Sequence, residues 1–180
     1  MDNKMSDLQI LITGCKKQDA GARKKLYECY ASAMMGICMR YVNEKETAKD
    51  LLQEGFIKVY TKIGSYSGNG SFEGWMKRIF ITTALEYLRD DRQFYDTCLN
   101  ESSEAVDHCD VLMIEKLSVD EILRYINELP TGFKTIFNMY VIEGYSHTEI
   151  AKLLNIKEST SRSQLLRARQ LLQTKIKKLF

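Results

Sequence analysis

Apolar or small residues at Ala48, Leu52, Gly55, Phe56, Val59 and Ile63 form one stripe at the 3.6-residue spacing of an α-helix. The same period returns near the C-terminus, where Leu165, Ala168, Leu172, Ile176 and Leu179 line up within residues 157–180. Strands leave a different signature, sustained alternation at a period of two closed by Asn-Gly or Asp-Gly hairpins, and no such alternation or hairpin is found in the sequence. Helices are further expected near 6–16, 19–41, 71–90, 118–129 and 133–143. The pattern predicts an all-α chain.

Two stretches interrupt the helical period. Residues 64–71, GSYSGNGS, are dense in glycine and polar turn formers and read as a loop inside the first helical group. Residues 94–110, FYDTCLNESSEAVDHCD, hold no helical stripe and are acidic. The expected organisation is two small helical domains, 1–92 and 115–180, joined by a flexible acidic linker at 93–114. Pro130 lies between two helical patterns, where it stops one helix and opens the next.

Charge follows the same division. Residues 1–92 carry 15 basic and 12 acidic side chains, 93–114 carry five acids and no base, and 115–180 carry 11 bases and seven acids. Residues 157–180 alone set seven bases against Glu158. A basic C-terminus behind an acidic joint fits a polyanionic partner, and it equally fits a solvated helix face.

Several function classes find no support. The longest run without a charged residue is 29–39, eleven residues, against about 20 for a membrane span. The opening residues lack a basic lead, a long apolar core and a small-residue cleavage site, so a cytoplasmic protein without membrane insertion is expected. Cys15, Cys29, Cys38, Cys98 and Cys109 share no metal-type spacing, and His108 and His147 stand in no ligand-like repeat. The loop at 64–71 lacks the Lys-Ser/Thr that completes a phosphate-binding loop, and no Ser/His/Asp set or paired carboxylates appear. The reading is a non-enzyme with no cofactor, metal or small-molecule substrate.

The segment SHTEIAKLLNIKESTSRSQLLRAR, residues 146–169, reads as a short helix, a tight turn and a longer basic helix. Ser146 and Glu149 have the spacing of a capping box. Ile150, Ala151 and Leu154 face inward, and Asn155 suits the left-handed residue of the turn, with Ile156 as a plug behind it. On the second helix, placing Leu165 at the core centre points Ser163, Arg167 and Gln170 outward. Ser159, Thr160 and Leu166 flank them, and Arg162 and Arg169 lie nearer the edge, within reach of phosphates. Hydroxyls and arginines presented by such a helix suit the DNA major groove. A helix-turn-helix is therefore expected, with a plain helical hairpin as the alternative.

Taken whole, LPTGFKTIFNMYVIEGYSHTEIAKLLNIKESTSRSQLLRAR resembles the promoter-reading C-terminal domain of extracytoplasmic-function (ECF) sigma factors. The match runs through Leu129, Pro130, Glu143, Gly144, Ser146, Glu149, Ile150, Ala151, Thr160, Ser163, Leu165, Arg167, Ala168 and Arg169. That half alone would also fit response regulators, but no βα receiver precedes it. Instead AKDLLQEGFIKVY, 48–60, resembles the family's polymerase-docking helix, and SFEGWMKRIFITTALEYLRDDR, 71–92, resembles its −10 element helix.

The resemblance implies a specificity subunit whose partners are core RNA polymerase, promoter DNA (double-stranded at −35, melted at −10) and an anti-sigma factor. It implies polymerase binding through Asp50, Leu51, Gln53, Glu54 and Ile57; for −10 binding, the glycine-bearing loop with Tyr66 and Asn69 is the expected pocket for an unstacked base, and Lys77 and Arg78 are the expected contacts to backbone phosphate. It implies −35 binding through Ser159, Thr160, Arg162, Ser163, Leu166, Arg167, Arg169 and Gln170. Trp75 reads as core packing with Phe72, Ile79 and Phe80. Three positions depart from the family pattern: Gln164 and Thr82 bear on which promoter is read, and Ser161 predicts a slightly looser C-terminal core. Residues 93–114 fully extended reach at most about 70 Å, about two turns of duplex. A helix-turn-helix regulator acting without polymerase and a helical adaptor are the competing readings.

Overall fold

The computed structural model describes residues 2–89 and 118–177, and no strand occurs among them. The linker expected at 93–114 lies outside the described residues, as do Cys98, His108, Cys109 and Leu179. The helices are α1 (Asp2–Lys16), α2 (Ala20–Tyr41), α3 (Lys45–Lys62), α4 (Phe72–Arg89), α5 (Val119–Asn127), α6 (Thr131–Phe137), α7 (His147–Leu154) and α8 (Glu158–Lys177). The chain divides into two compact units, Met1–Ala84 and Leu85–Phe180, the division falling inside α4.

In the N-terminal unit each helix starts and stops for a local reason. Asp19 caps α2, its carboxylate accepting from the Ala22 N–H at 2.6 Å. Gln18, in the left-handed region at φ 63°, makes the corner between α1 and α2. All six members of the apolar stripe of α3 are buried: Ala48, Leu52, Gly55, Phe56, Val59 and Ile63. They meet Leu26, Met34 and Ile37 of α2 and Met76, Phe80 and Ala84 of α4 in the core. Tyr27 packs on Phe56 with ring centroids 4.7 Å apart, and Phe56 meets Phe80 edge-on at 5.2 Å. At Gly55 the Phe80 ring of α4 lies against α3, where a Cβ would clash with it.

In the C-terminal unit Ser118 and Glu121 form a capping box at the start of α5. Pro130 precedes α6, as expected. The helix expected over 133–143 is not one α-helix. After Phe137 it widens into a π-helical turn, Asn138–Ile142, which leaves Tyr140, Val141 and Ile142 partly exposed. Helices α6 and α7 both pack on α8. Lys134 of α6 is 1% exposed, and burial pulls its pKa down to about 8.

This packing has two measurable consequences for stability. Gly55→Ala should cost about 1–3 kcal/mol by overpacking, and Phe80→Leu in the same chain should recover part of it. Trp75 is the single tryptophan and lies in the N-terminal unit, so its fluorescence during thermal unfolding reads this directly. The melting midpoint of Lys134→Met relative to the wild type should be most favourable where Lys134 would be buried with its charge. The difference should be full below about pH 8 and fade toward 10.5, because the folded-state pKa lies below the ordinary lysine value of 10.5. A difference independent of pH would contradict a burial penalty on the charged lysine.

Candidate protein and nucleic-acid interfaces

The turn between α7 and α8 forms as its residues dictate. The Ser146 hydroxyl accepts from the Glu149 N–H, and the Glu149 carboxylate returns to the Ser146 N–H at 2.9 Å. Asn155 closes α7 at φ 54°, in the left-handed region, and the Ile156 N–H reaches the Ala151 carbonyl at 3.0 Å. Thr148 then donates to Glu158 at 3.0 Å, tying the first turn of α7 to the first turn of α8. The two helices and their turn have the helix-turn-helix arrangement.

The rotational setting of α8 differs from the expectation. Thr160, Ser161, Gln164, Leu165 and Ala168 are buried, so the core face centres near Gln164 and Ala168 rather than on Leu165. At 100° per residue that is a rotation of about 70°. Thr160, 7% exposed, is turned inward and leaves the set of groups that can reach a ligand. Gln164, 0% exposed, faces the core and not the solvent. Ser163 is half-buried and donates to the Thr160 carbonyl at 3.0 Å. Arg167 and Gln170 are half-buried. The open face is instead Ser159, Arg162, Leu166 and Arg169, all exposed.

Polar burial makes this rotation tolerable. The Ser161 hydroxyl lies 2.9 Å from His147 Nδ1, and the His147 ring stacks on Tyr140 with centroids 4.4 Å apart. Burial, with the nearby Arg162 guanidinium, lowers the His147 pKa. Ser161 thus supplies a buried hydrogen bond where a looser core was expected. Arg162 pairs with Glu158, and its hydrogen bond holds the Glu158 carboxyl below the usual carboxylate range.

On α3 the face opposite the core carries Asp50, Gln53, Glu54 and Ile57, all exposed, with Ile57 at 64%. Glu54 pairs with Lys58 at 2.6 Å. Leu51 does not belong to this face: it is 3% exposed and packs in the core beside Leu52. An apolar centre within an acidic and amide rim has the make-up of a protein-docking patch.

The loop after α3 is held more firmly than its composition suggests. A 3₁₀ turn, Ile63–Ser65, leads into it, and Gly68 and Gly70 take positive φ of 85° and 80°. The Tyr66 hydroxyl donates to the Gly70 carbonyl at 2.9 Å, and the Tyr66 ring lies against Phe72 at 5.1 Å and Trp75 at 5.4 Å. Lys16 of α1 donates to the Tyr66 carbonyl at 2.9 Å. Trp75, expected in the core, is half-buried and stacks on Phe72. Asn69 and Arg78 are exposed, whereas Lys77 is half-buried and paired with Glu73 at 2.8 Å. Lys16 escaped the sequence reading because a lysine 50 residues from its carbonyl partner carries no local pattern.

Among the described residues no group of three or more His, Cys, Asp or Glu is placed to hold a metal ion, and no helix is long and apolar enough to cross a membrane.

Residues 26–94 match the family described as sigma-70 region 2, and residues 119–172 match sigma-70, region 4. The chain is 30% identical over 186 residues to the ECF RNA polymerase sigma-E factor of Haemophilus influenzae, with 95% of this chain and 96% of that relative covered. It is 26% identical over 175 residues to the RNA polymerase sigma-H factor of Pseudomonas aeruginosa, with 90% of each covered. Among solved structures it is similar in fold to the sigma factor RpoE of Bartonella quintana, seen in complex with the anti-sigma factor NepR. That likeness has a TM-score of 0.53 at 19% identity and covers 86% of this chain and 96% of the other.

Ser161→Ala should lower the stability of the C-terminal unit by about 1–3 kcal/mol, because it leaves a ring nitrogen of His147 buried without its partner. Thermal unfolding followed by circular dichroism checks this. An unchanged midpoint would mean that the hydrogen bond does not hold α8 in place.

Proposed function

This chain belongs to the extracytoplasmic-function sigma factors, and from that premise we propose how its faces divide the work of promoter recognition. As a sigma factor it binds core RNA polymerase and directs it to specific promoters. The chemistry of transcription belongs to the polymerase, and the chain itself acts as a cytoplasmic specificity subunit rather than an enzyme.

The exposed face of α3 docks on polymerase through Ile57, with Asp50, Gln53 and Glu54 as its polar rim. The observation that carries this is Ile57, 64% exposed on a helix whose other side is fully committed to the core. A regulator acting without polymerase has no use for such a face, which favours the sigma reading over that competitor. The loop at 64–71 receives an unstacked base of the melted −10 element beside Tyr66 and Asn69. Arg78, and Lys77 on release from Glu73, hold backbone phosphate. Glycines at positive φ let the loop backbone come close to a base, and the bonds from Lys16 and Tyr66 keep it shaped before DNA arrives.

The −35 element is read from the open face of α8. Arg162, Leu166 and Arg169 lead, with Ser159 near the helix N-terminus on phosphate. Ser163, Arg167 and Gln170 contribute from the margins. The working domains are 1–92 and 115–180 with 93–114 as the tether between them. An anti-sigma factor holds the protein in reserve, a reading supported by the complex in which the Bartonella neighbour was solved.

Promoter-specific transcription by purified core polymerase, with and without the full chain, tests the whole reading. Ile57→Ala should weaken core binding about tenfold or more, as truncating an interface's central residue does, Asp50→Ala/Glu54→Ala at the rim should weaken it less, and both should leave DNA selectivity intact. Arg162→Ala/Arg169→Ala should preserve core binding and cost about 1–3 kcal/mol of promoter discrimination for each base that is no longer read. Transcription indifferent to the chain would overturn the proposal.

A further inference from the structure

The open face of α8 has an apolar centre. Leu166 is 48% exposed, with Arg162 one turn before it, Arg169 one turn after it and Ser159 two turns before. A lone exposed leucine is ordinary on a protein surface. Its position here is not arbitrary, because the other exposed leucine of the helix, Leu171, lies about 140° round the axis. The core on the far side, Thr160 to Ala168, holds α8 in one rotational setting, so Leu166 stays outward. Its basic neighbours are long and can reach phosphates or guanine edges. Leucine is shorter, has no hydrogen-bonding group, and can gain only by leaving water against another apolar group.

The major groove offers one such group among the four bases, the C5 methyl of thymine. Resting on the proposed docking of α8 in the −35 groove, we infer that Leu166 is a specificity-determining residue that selects thymine by packing on this methyl. The arginines on either side set the register in which it does so. The interaction is a contact of two apolar surfaces, needs no proton or charge, and discriminates thymine from cytosine, which lacks the methyl at the same place.

The test uses full-length protein assembled with core RNA polymerase and a pool of promoter duplexes randomised across the upstream element. Wild-type holoenzyme should enrich thymine at one position or more, and Leu166→Ala should lose that enrichment while keeping the preference for guanine. In the selected duplex, replacing that thymine by deoxyuridine removes only the methyl. It should weaken wild-type binding about fourfold, the fold-change of one buried methyl or methylene group, and leave Leu166→Ala unaffected. Deoxyuridine tolerated by the wild type, or an equal loss in both proteins, would overturn the role of Leu166 and leave the docking of α8 standing. A wild-type holoenzyme that enriches no upstream sequence would instead overturn that docking itself. Circular dichroism of Leu166→Ala, expected to melt with the wild type, excludes misfolding as the cause of any loss.

Discussion

The C-terminal unit depends on a buried hydrogen bond, His147 to Ser161 at 2.9 Å, because it decides which side of α8 meets solvent. A helix with an apolar stripe tends to place that stripe at the centre of its contact. Here Leu165 sits toward one side of the contact, and Thr160, Ser161 and Gln164 are drawn in with it. Most buried polar groups in a folded protein have a hydrogen-bond partner. The His147 ring, stacked on Tyr140, provides such a partner across α7 and α8. The rotation that results turns Leu166, Arg162 and Arg169 outward together. The outward surface of α8 is thus set by what the opposite side of the helix can bury.

The N-terminal unit works by the same rule with apolar contacts. The absence of a side chain at Gly55 lets the Phe80 ring lie against α3, and the Phe56–Phe80 pair fills the space between α3 and α4. With one side of α3 so occupied, Asp50, Gln53, Glu54 and Ile57 are turned outward and exposed. The loop that follows inherits its shape from both ends. Lys16 holds its backbone from α1, and Phe72 and Trp75 support Tyr66 from α4. A recognition loop arranged in advance binds at lower entropic cost than one ordered by its ligand.

Local chemistry is legible in the sequence and rotational setting is not. The capping box of Ser146 and Glu149, the left-handed Asn155 and the stripe from Ala48 to Ile63 each depend on residues within a few positions, and each forms as read. Leu51 falls within a docking motif, yet it neighbours the stripe closely enough for the core to claim it. Apolar residues alone do not locate the core face of α8, because three of its five buried residues are polar. The π-helical turn at Asn138–Ile142 has no signature that separates it from a continuing α-helix. The bond from Lys16 to Tyr66, like the Ser161–His147 pair, exists only once distant segments meet.

The ion pair at the start of α8 connects structure to recognition. Arg162 is held by Glu158, which also accepts from Thr148 of α7, so one carboxylate orients the arginine and braces the turn. Glu158 also lies in the first turn, where negative charge suits the helix dipole. The pair is exposed, and exposed pairs contribute only about 0–1 kcal/mol. Arg162 is therefore positioned without being committed: a phosphate or a guanine edge can take the place of the carboxylate at little cost. Glu158 then faces the same polyanion and repels it unless the match elsewhere is good. A weak pair of this kind lowers nonspecific attraction to DNA more than it lowers binding where Arg162, Leu166 and Arg169 all find partners. Under the proposed −35 docking, the one acid of this surface thus contributes to discrimination alongside its bases.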